Sequence, residues 1–143
     1  MSEELYHRKL VARAKSRAGA GTLPSPDAEA TVDNPLCGDR VTVGVRLADG
    51  RVAALAHRTR GCLLCEAAAA LIGEQAPGET AADLKAAANA ARRLLEGAEA
   101  PAGRWAALAE FAPVRGVRSR WDCVLLPFSA LTRALEKAAG SSR

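Results

Sequence analysis

Aromatic residues are scarce in this sequence, which has two Trp, two Phe and one Tyr among 143 residues. Proteins that bind nucleic acid combine a dense basic stripe with aromatic rings on which bases stack. Here the net charge is only +4, and the basic residues are dispersed along the chain. We therefore expect no nucleic-acid partner.

Long apolar runs are also missing, because no stretch approaches the roughly 18 consecutive apolar residues of a membrane span. The first eight residues are rich in charge, so they do not resemble a secretory signal. We expect a cytoplasmic protein with no membrane partner, in which thiols stay reduced. The four Cys residues then indicate metal or redox ligands rather than disulfides.

Hydrophobic residues make up 49% of the chain and are mostly small or aliphatic, which suits one domain over residues 1–143. Alternating apolar residues from Val41 to Leu47 predict a half-buried strand. Asp49-Gly50 predicts a hairpin turn into a return strand that ends near Thr59.

Helical patterns occupy much of the remaining sequence, and Thr80 with Asp83 resembles a capping box at the start of one of them. The predicted helices are 4–17, 63–75, 80–95, 104–111 and 122–139, with a loop over 113–119. The sequence therefore predicts an α+β fold, with a small antiparallel sheet of about three strands packed against several helices.

Three Cys and one Asp lie at predicted junctions between elements. Cys37 and Asp39 lie on a turn, Cys62 where a strand meets a helix, and Cys123 in the first turn of the last helix. Helix N-termini lower the pKa of thiols, and the thiolate is both the nucleophile and the metal ligand. Three thiolates and a carboxylate suit tetrahedral zinc, and thiolates also suit iron–sulfur clusters. The spacing matches no generic zinc motif, so Cys62 and Cys123 as small buried hydrophobes remain an alternative.

Residues 34–39 read Asn-Pro-Leu-Cys-Gly-Asp and resemble the Asn-Pro-x-Cys-Gly-Asp signature of the IscU/SufU family of iron–sulfur scaffolds, also called NifU N-terminal-like. Gly61-Cys62 before an Ala-rich helix is similar to that family's second Cys motif, and Gly116 through Cys123 is similar to its third. The IscU branch carries His directly before the last Cys, where this chain has Asp122. That difference and the segment 104–120 make the SufU branch the closer resemblance.

The resemblance implies a site for zinc or a transient iron–sulfur cluster made by Cys37, Asp39, Cys62 and Cys123. It also implies a cysteine desulfurase partner of the SufS/IscS kind and downstream proteins that accept the cluster. Cys37 would be the persulfide acceptor, with Cys123 as the alternative acceptor. Two functions remain open: a cluster scaffold, or a zinc-dependent sulfurtransferase that activates the desulfurase without holding a cluster.

Two residues beside the predicted ligands are candidates for an accessory role, and Cys65 is the one that the family pattern does not explain. Cys65 follows Cys62 by three positions, and it could substitute as a ligand, relay sulfur, or only fill space in an Ala-rich helix. Arg120 belongs to a predicted basic loop with Arg115 and Arg118. This loop could contact an acidic desulfurase rim, hold Cys123 ionised, or simply be solvated.

Other functions fit the sequence less well. Zinc deaminases pair Pro-Cys-x-x-Cys with His-x-Glu, but this chain has no His-x-Glu, and Gly61 precedes Cys62. A thioredoxin-like role for Cys62 and Cys65 lacks the expected βαβ context. His57 fits a strand-face residue better than a ligand.

Overall fold

The computed structural model describes residues 3–141 as a three-stranded antiparallel sheet with helices packed against it. The elements are α1 (Glu3–Ser16), β1 (Ala28–Asn34), β2 (Asp39–Ala48), β3 (Arg51–Arg60), α2 (Leu63–Gln75), α3 (Ala81–Leu95), two 3-10 helices (Ala106–Gly116 and Arg118–Arg120) and α4 (Trp121–Ser141). The predicted α+β class is confirmed. Over these residues, no helix is both long enough and apolar enough to cross a membrane.

Two tight turns set the order of the strands. Asp49 and Gly50 have φ angles of 54° and 75°, as a two-residue hairpin requires, and they join β2 to β3. Gly38, with φ of 75°, lies in the turn between β1 and β2, and Asn34 pairs with Asp39 across that turn. This arrangement leaves Cys37 in the turn and makes Asp39 the first residue of β2.

The central strand is more deeply buried than its alternating sequence predicts. Residues 41–45 are all buried, so the prediction of a half-buried strand is wrong for this stretch. Because β2 has a neighbour on each edge, even the hydroxyl of Thr42 is covered, and it lies 2.7 Å from the hydroxyl of Thr31. α4 packs against β1 and β2, and α2 packs against α4.

The region between α3 and α4 also differs from the prediction. The expected helix over 104–111 and loop over 113–119 are replaced by a 3-10 helix from Ala106 to Gly116 and a second one from Arg118 to Arg120. Leu108, Phe111 and Val114 recur every three residues and are all buried. This spacing matches the three residues per turn of a 3-10 helix, in which they share one face.

The segment that follows α1 makes a close backbone contact with α2. A Cβ built at Gly73 of α2 would overlap the carbonyl oxygen of Ala18, and one at Gly19 would lie 2.8 Å from the Cα of Gly73. Beside this contact, Arg13 of α1 pairs with Glu74 at 2.6 Å and with Glu110 at 2.8 Å. These contacts hold α1 against α2 and the first 3-10 helix, and Cys62 and Cys65 lie at the N-terminal end of α2.

We predict that Gly73→Ala lowers the free energy of unfolding by about 1–3 kcal/mol, because the added methyl meets backbone that cannot rotate away. Gly140→Ala is the matched control, since it adds a methyl to the helix α4 in open space. Alanine favours helix over glycine by up to about 1 kcal/mol, so the control should be neutral or stabilising. Urea denaturation measures both variants. Equal stability of Gly73→Ala and the original protein would contradict the tight contact.

Candidate metal centre

Three of the four predicted ligands converge at one end of the sheet. The sulfurs of Cys37 and Cys123 and a carboxylate oxygen of Asp39 all lie within 4.8 Å of one another. They come from the β1–β2 turn, the start of β2 and the first turn of α4. Because α4 packs against β1 and β2, residues more than eighty positions apart in sequence meet here.

Asp39 is the most unusual member of this group. Its side chain is buried, with the residue only 5% exposed, and its Oδ2 has no hydrogen-bond partner in the described part of the chain. A buried carboxylate oxygen without a partner is unfavourable by several kcal/mol unless something compensates it. A cation that binds this oxygen together with the two sulfurs would compensate it, so the donor set fits a metal ion.

Cys62 lies beside this group but is not one of the three residues. It is the N-cap of α2, and its thiol is a neighbour of the Cys123 thiol that contributes to raising the pKa of Cys123. The structure therefore brings all four predicted residues to one place, with Cys62 at the margin. Four-fold coordination would need the sulfur of the half-buried Cys62 to lie closer to the other three donor atoms.

Burial decides the protonation of Cys123. Desolvation, followed by the hydrogen bond with Cys62, raises the pKa of the Cys123 thiol to about 12. The expectation that a helix N-terminus would lower this pKa is wrong for Cys123, because the residue is only 3% exposed. Arg120 donates a hydrogen bond to Cys123 and lowers its pKa, but burial outweighs that effect.

The three arginines of the predicted basic loop make contacts with different groups. Arg115 donates to the carbonyl oxygens of Leu94 and Ala98, each at 2.6 Å, and so closes the end of α3. Arg118 lies over the ring of Trp121, 5.0 Å from its centroid. Only Arg120 faces the thiols, and hydrogen bonds to Cys62 and Cys123 raise its pKa. Arg120 thus differs from Arg115 and Arg118 in its contacts, and its accessory role stays a prediction.

Cys65 lies on the inner side of the site and is fully buried. Burial, and then the nearby Asp39 carboxylate, raise the pKa of its thiol. A Cβ placed on Gly61 would lie 2.9 Å from Cγ of Asp39 and 3.0 Å from Sγ of Cys65. Because Gly61 has no side chain, Asp39 and Cys65 can occupy this space. Sequence reasoning missed this role, although a glycine directly before Cys62 was the available signal.

His57 takes no part in the site. Its ring is 5% exposed and lies 2.8 Å from the carbonyl oxygen of Ala18 and 2.9 Å from the hydroxyl of Thr59. Burial lowers the pKa of this ring, so it stays neutral near neutral pH. His57 fastens the segment after α1 to β3.

Residues 5–117 match the family of NifU-like N-terminal domains. The chain therefore belongs to this family, and the family resemblance predicted from the sequence is confirmed. Cys123 lies beyond the matched range, so its place in the site comes from the three-dimensional structure.

Curated relatives carry the name iron–sulfur cluster assembly scaffold protein IscU. Two from Archaeoglobus fulgidus are each 29% identical over 76 residues, which is 53% of this chain and 50% of each relative. The chain thus spans about half the length of these two relatives. One from Thermotoga maritima is 23% identical over 133 residues, which is 93% of this chain and 94% of the relative.

Solved structures extend the likeness to the whole fold. The N-terminal part of a NifU-like protein from Brucella abortus has a TM-score of 0.91 and 34% identity, and the match covers 96% of both chains. A Fervidobacterium islandicum protein, described as a SufU scaffold for the SUF system, has a TM-score of 0.84 and 22% identity over 94% of this chain and 99% of its own. The second likeness concerns the fold alone.

We predict that Gly61→Ala weakens Co²⁺ binding by about 10–100-fold, because the new methyl displaces the Asp39 carboxylate that supports the site. Gly116→Ala is the matched control, since a Cβ there meets nothing within 4 Å. Titration followed by thiolate-to-cobalt absorption measures the affinity, and circular dichroism checks that both variants fold. Unchanged affinity in Gly61→Ala would show that Asp39 does not contribute to the site.

Proposed function

We propose that this protein is a scaffold on which iron–sulfur clusters are assembled, with Cys37, Asp39, Cys62 and Cys123 as the residues that hold the cluster. The observation that carries the proposal is the convergence of Cys37, Asp39 and Cys123 within 4.8 Å, with the buried Oδ2 of Asp39 unpartnered. Family membership and the names of the Archaeoglobus and Thermotoga relatives support it.

The donor set suits a cluster that must be released. Thiolates are the usual ligands of iron–sulfur clusters, and three Cys residues supply them here. The carboxylate of Asp39 is a harder and weaker ligand for iron in a cluster than a fourth thiolate. Asp39 would therefore make the finished cluster easier to transfer to an acceptor protein.

The same residues would hold zinc in the absence of a cluster. Three thiolates and one carboxylate form an ordinary tetrahedral shell for this ion. Zinc would place a positive charge beside the buried carboxylate. Its binding would also keep the thiols deprotonated.

Sulfur would enter through Cys37, by transfer of a persulfide from a cysteine desulfurase. Cys37 is exposed on its turn, whereas Cys123 is only 3% exposed. Leu36, beside Cys37, is 92% exposed and offers an apolar contact for a partner. Exposure thus favours Cys37 over Cys123 as the acceptor.

Anaerobic incubation with iron, cysteine and a cysteine desulfurase tests this proposal. We predict a brown, labile cluster that moves to an apo-acceptor protein, and slower transfer from Asp39→Ala because the weak ligand is gone. Asp33→Ala is the matched control, since Asp33 is a nearby carboxylate that pairs with Arg40 on the surface instead. Without iron, mass spectrometry should find the added sulfur on Cys37.

A different result would favour the sulfurtransferase. A protein that keeps colourless zinc, forms no cluster and only accelerates the desulfurase would contradict the scaffold function. Transfer at the same rate from Asp39→Ala and from the original protein would remove Asp39 from the cluster ligands.

A further inference from the structure

A cavity of about 200 Å³ lies between the segment that follows α1, the second half of β3 and the first turn of α2. Its polar lining consists of Arg17, His57, Arg58, Thr59 and Glu66. None of these residues is among the proposed metal ligands. Drug-sized ligands occupy cavities of about 300–1,000 Å³, so this cavity suits a smaller molecule.

The cavity holds charges of both signs that do not neutralise each other. In the described part of the chain, neither the exposed Arg17 nor the half-buried Glu66 takes part in a salt bridge. Arg58 contributes a second guanidinium group, which also pairs with Glu29 at 3.3 Å. A ligand that carries one negative and one positive group would therefore find a partner of opposite charge for each.

The hydrogen bonds of His57 determine which lining atoms can accept from a ligand. The carbonyl oxygen of Ala18, 2.8 Å from Nε2 of His57, can only accept, so Nε2 carries the proton. In the neutral ring, Nδ1 then accepts from the hydroxyl of Thr59, 2.9 Å away. The Thr59 oxygen keeps its lone pairs, so it can accept a hydrogen bond from a ligand cation, as the carboxylate of Glu66 can.

We propose that this cavity binds a small α-amino acid in its zwitterionic form. The α-carboxylate would lie against the guanidinium groups of Arg17 and Arg58, because arginine presents paired donors that match a carboxylate. The α-ammonium group would donate to Glu66 and Thr59. An anion alone would leave Glu66 without a partner, and a cation alone would leave Arg17 without one. The small volume excludes large side chains, so alanine, serine and cysteine are the class of ligand that fits.

The position of the cavity relates such a ligand to the thiols. Thr59 belongs to β3 and Glu66 to α2, and Cys62 lies on the chain between these two elements. A ligand that contacts both side chains would restrain the segment that carries Cys62. Cysteine that loses its sulfur becomes alanine, so both amino acids are present wherever a cysteine desulfurase works. The inference goes beyond the proposed function and does not depend on it, because binding is a property of the cavity alone.

Titration with L-alanine, followed by proton–nitrogen correlation NMR of the isotope-labelled protein, tests the proposal. Alanine carries both charged groups and no thiol, so it cannot react with the Cys residues. We expect saturable shifts of the amides of residues 20–21, 57–59 and 66, with a dissociation constant of about 1 mM or lower. N-acetyl-L-alanine lacks the ammonium group and L-alaninamide lacks the carboxylate, so each should bind at least about tenfold more weakly.

Two variants each remove one partner of the ligand. Arg17→Gln and Glu66→Gln should each weaken alanine binding by about tenfold, because a hydrogen bond to a charged group is lost. Lys15→Gln is the matched control, since Lys15 is an exposed cation two positions before Arg17 that does not line the cavity. This control should bind alanine as the original protein does. Binding of the original strength by both cavity variants would overturn the proposal.

Results with the original protein can also contradict the inference, whether or not the variants fold. The absence of a saturable shift at the cavity amides would refute it. Equal shifts with sodium acetate would indicate a general anion site instead. Shifts confined to residues 37–39 and 62 would indicate that alanine chelates a metal at the thiols. Cluster assembly can succeed in each of these cases, so failure of this inference is distinguishable from failure of the proposed function.

Discussion

The buried carboxylate of Asp39 is the feature on which the rest of the site depends. It lies at the first residue of β2, held there by the turn around Gly38 and by its pairing with Asn34. Its Oδ2 has no hydrogen-bond partner in the described structure, and one strand away Gly61 leaves the space that it fills. Folding therefore buries a carboxylate oxygen without a partner, and a bound cation would satisfy it.

The thiols around Asp39 differ in exposure, and the difference divides their proposed roles. Cys37 is exposed and can meet a partner, whereas Cys123 and Cys65 are buried. Burial raises the pKa values of both buried thiols, which favours their neutral form. Arg120, which donates to Cys62 and Cys123, is the cation that the chain itself supplies at the entrance. Metal or cluster binding would then be coupled to loss of protons from the thiols.

Local sequence patterns predicted much of this structure. The Ala-rich segment predicted the bounds of α2 correctly. The Thr80–Asp83 pair predicted the start of α3, and both hydrogen bonds of the capping box form there. The family signature placed Cys37 and Asp39 on a turn, where the structure has them. That the four predicted ligands act as one shell stays a prediction, since Cys62 lies outside the closest group.

The features that the sequence did not reveal all depend on tertiary contacts. Proline and the basic residues of 113–119 indicated a loop, but buried apolar residues at a spacing of three favour a 3-10 helix. The partners of Arg115 are carbonyl oxygens at the end of α3, which local patterns cannot identify. Gly61 matters because Asp39 and Cys65 lie close to it in the folded protein. No periodic pattern in the sequence indicates that proximity.

The central claim is that Asp39 completes a shell with three thiolates while Cys65 stays outside it. X-ray absorption at the zinc edge of the zinc-loaded protein tests this claim directly. We predict three sulfur ligands at about 2.3 Å and one oxygen ligand at about 2.0–2.2 Å. Four sulfur ligands would place Cys65 on the metal in place of Asp39, and two or fewer would contradict the shared site.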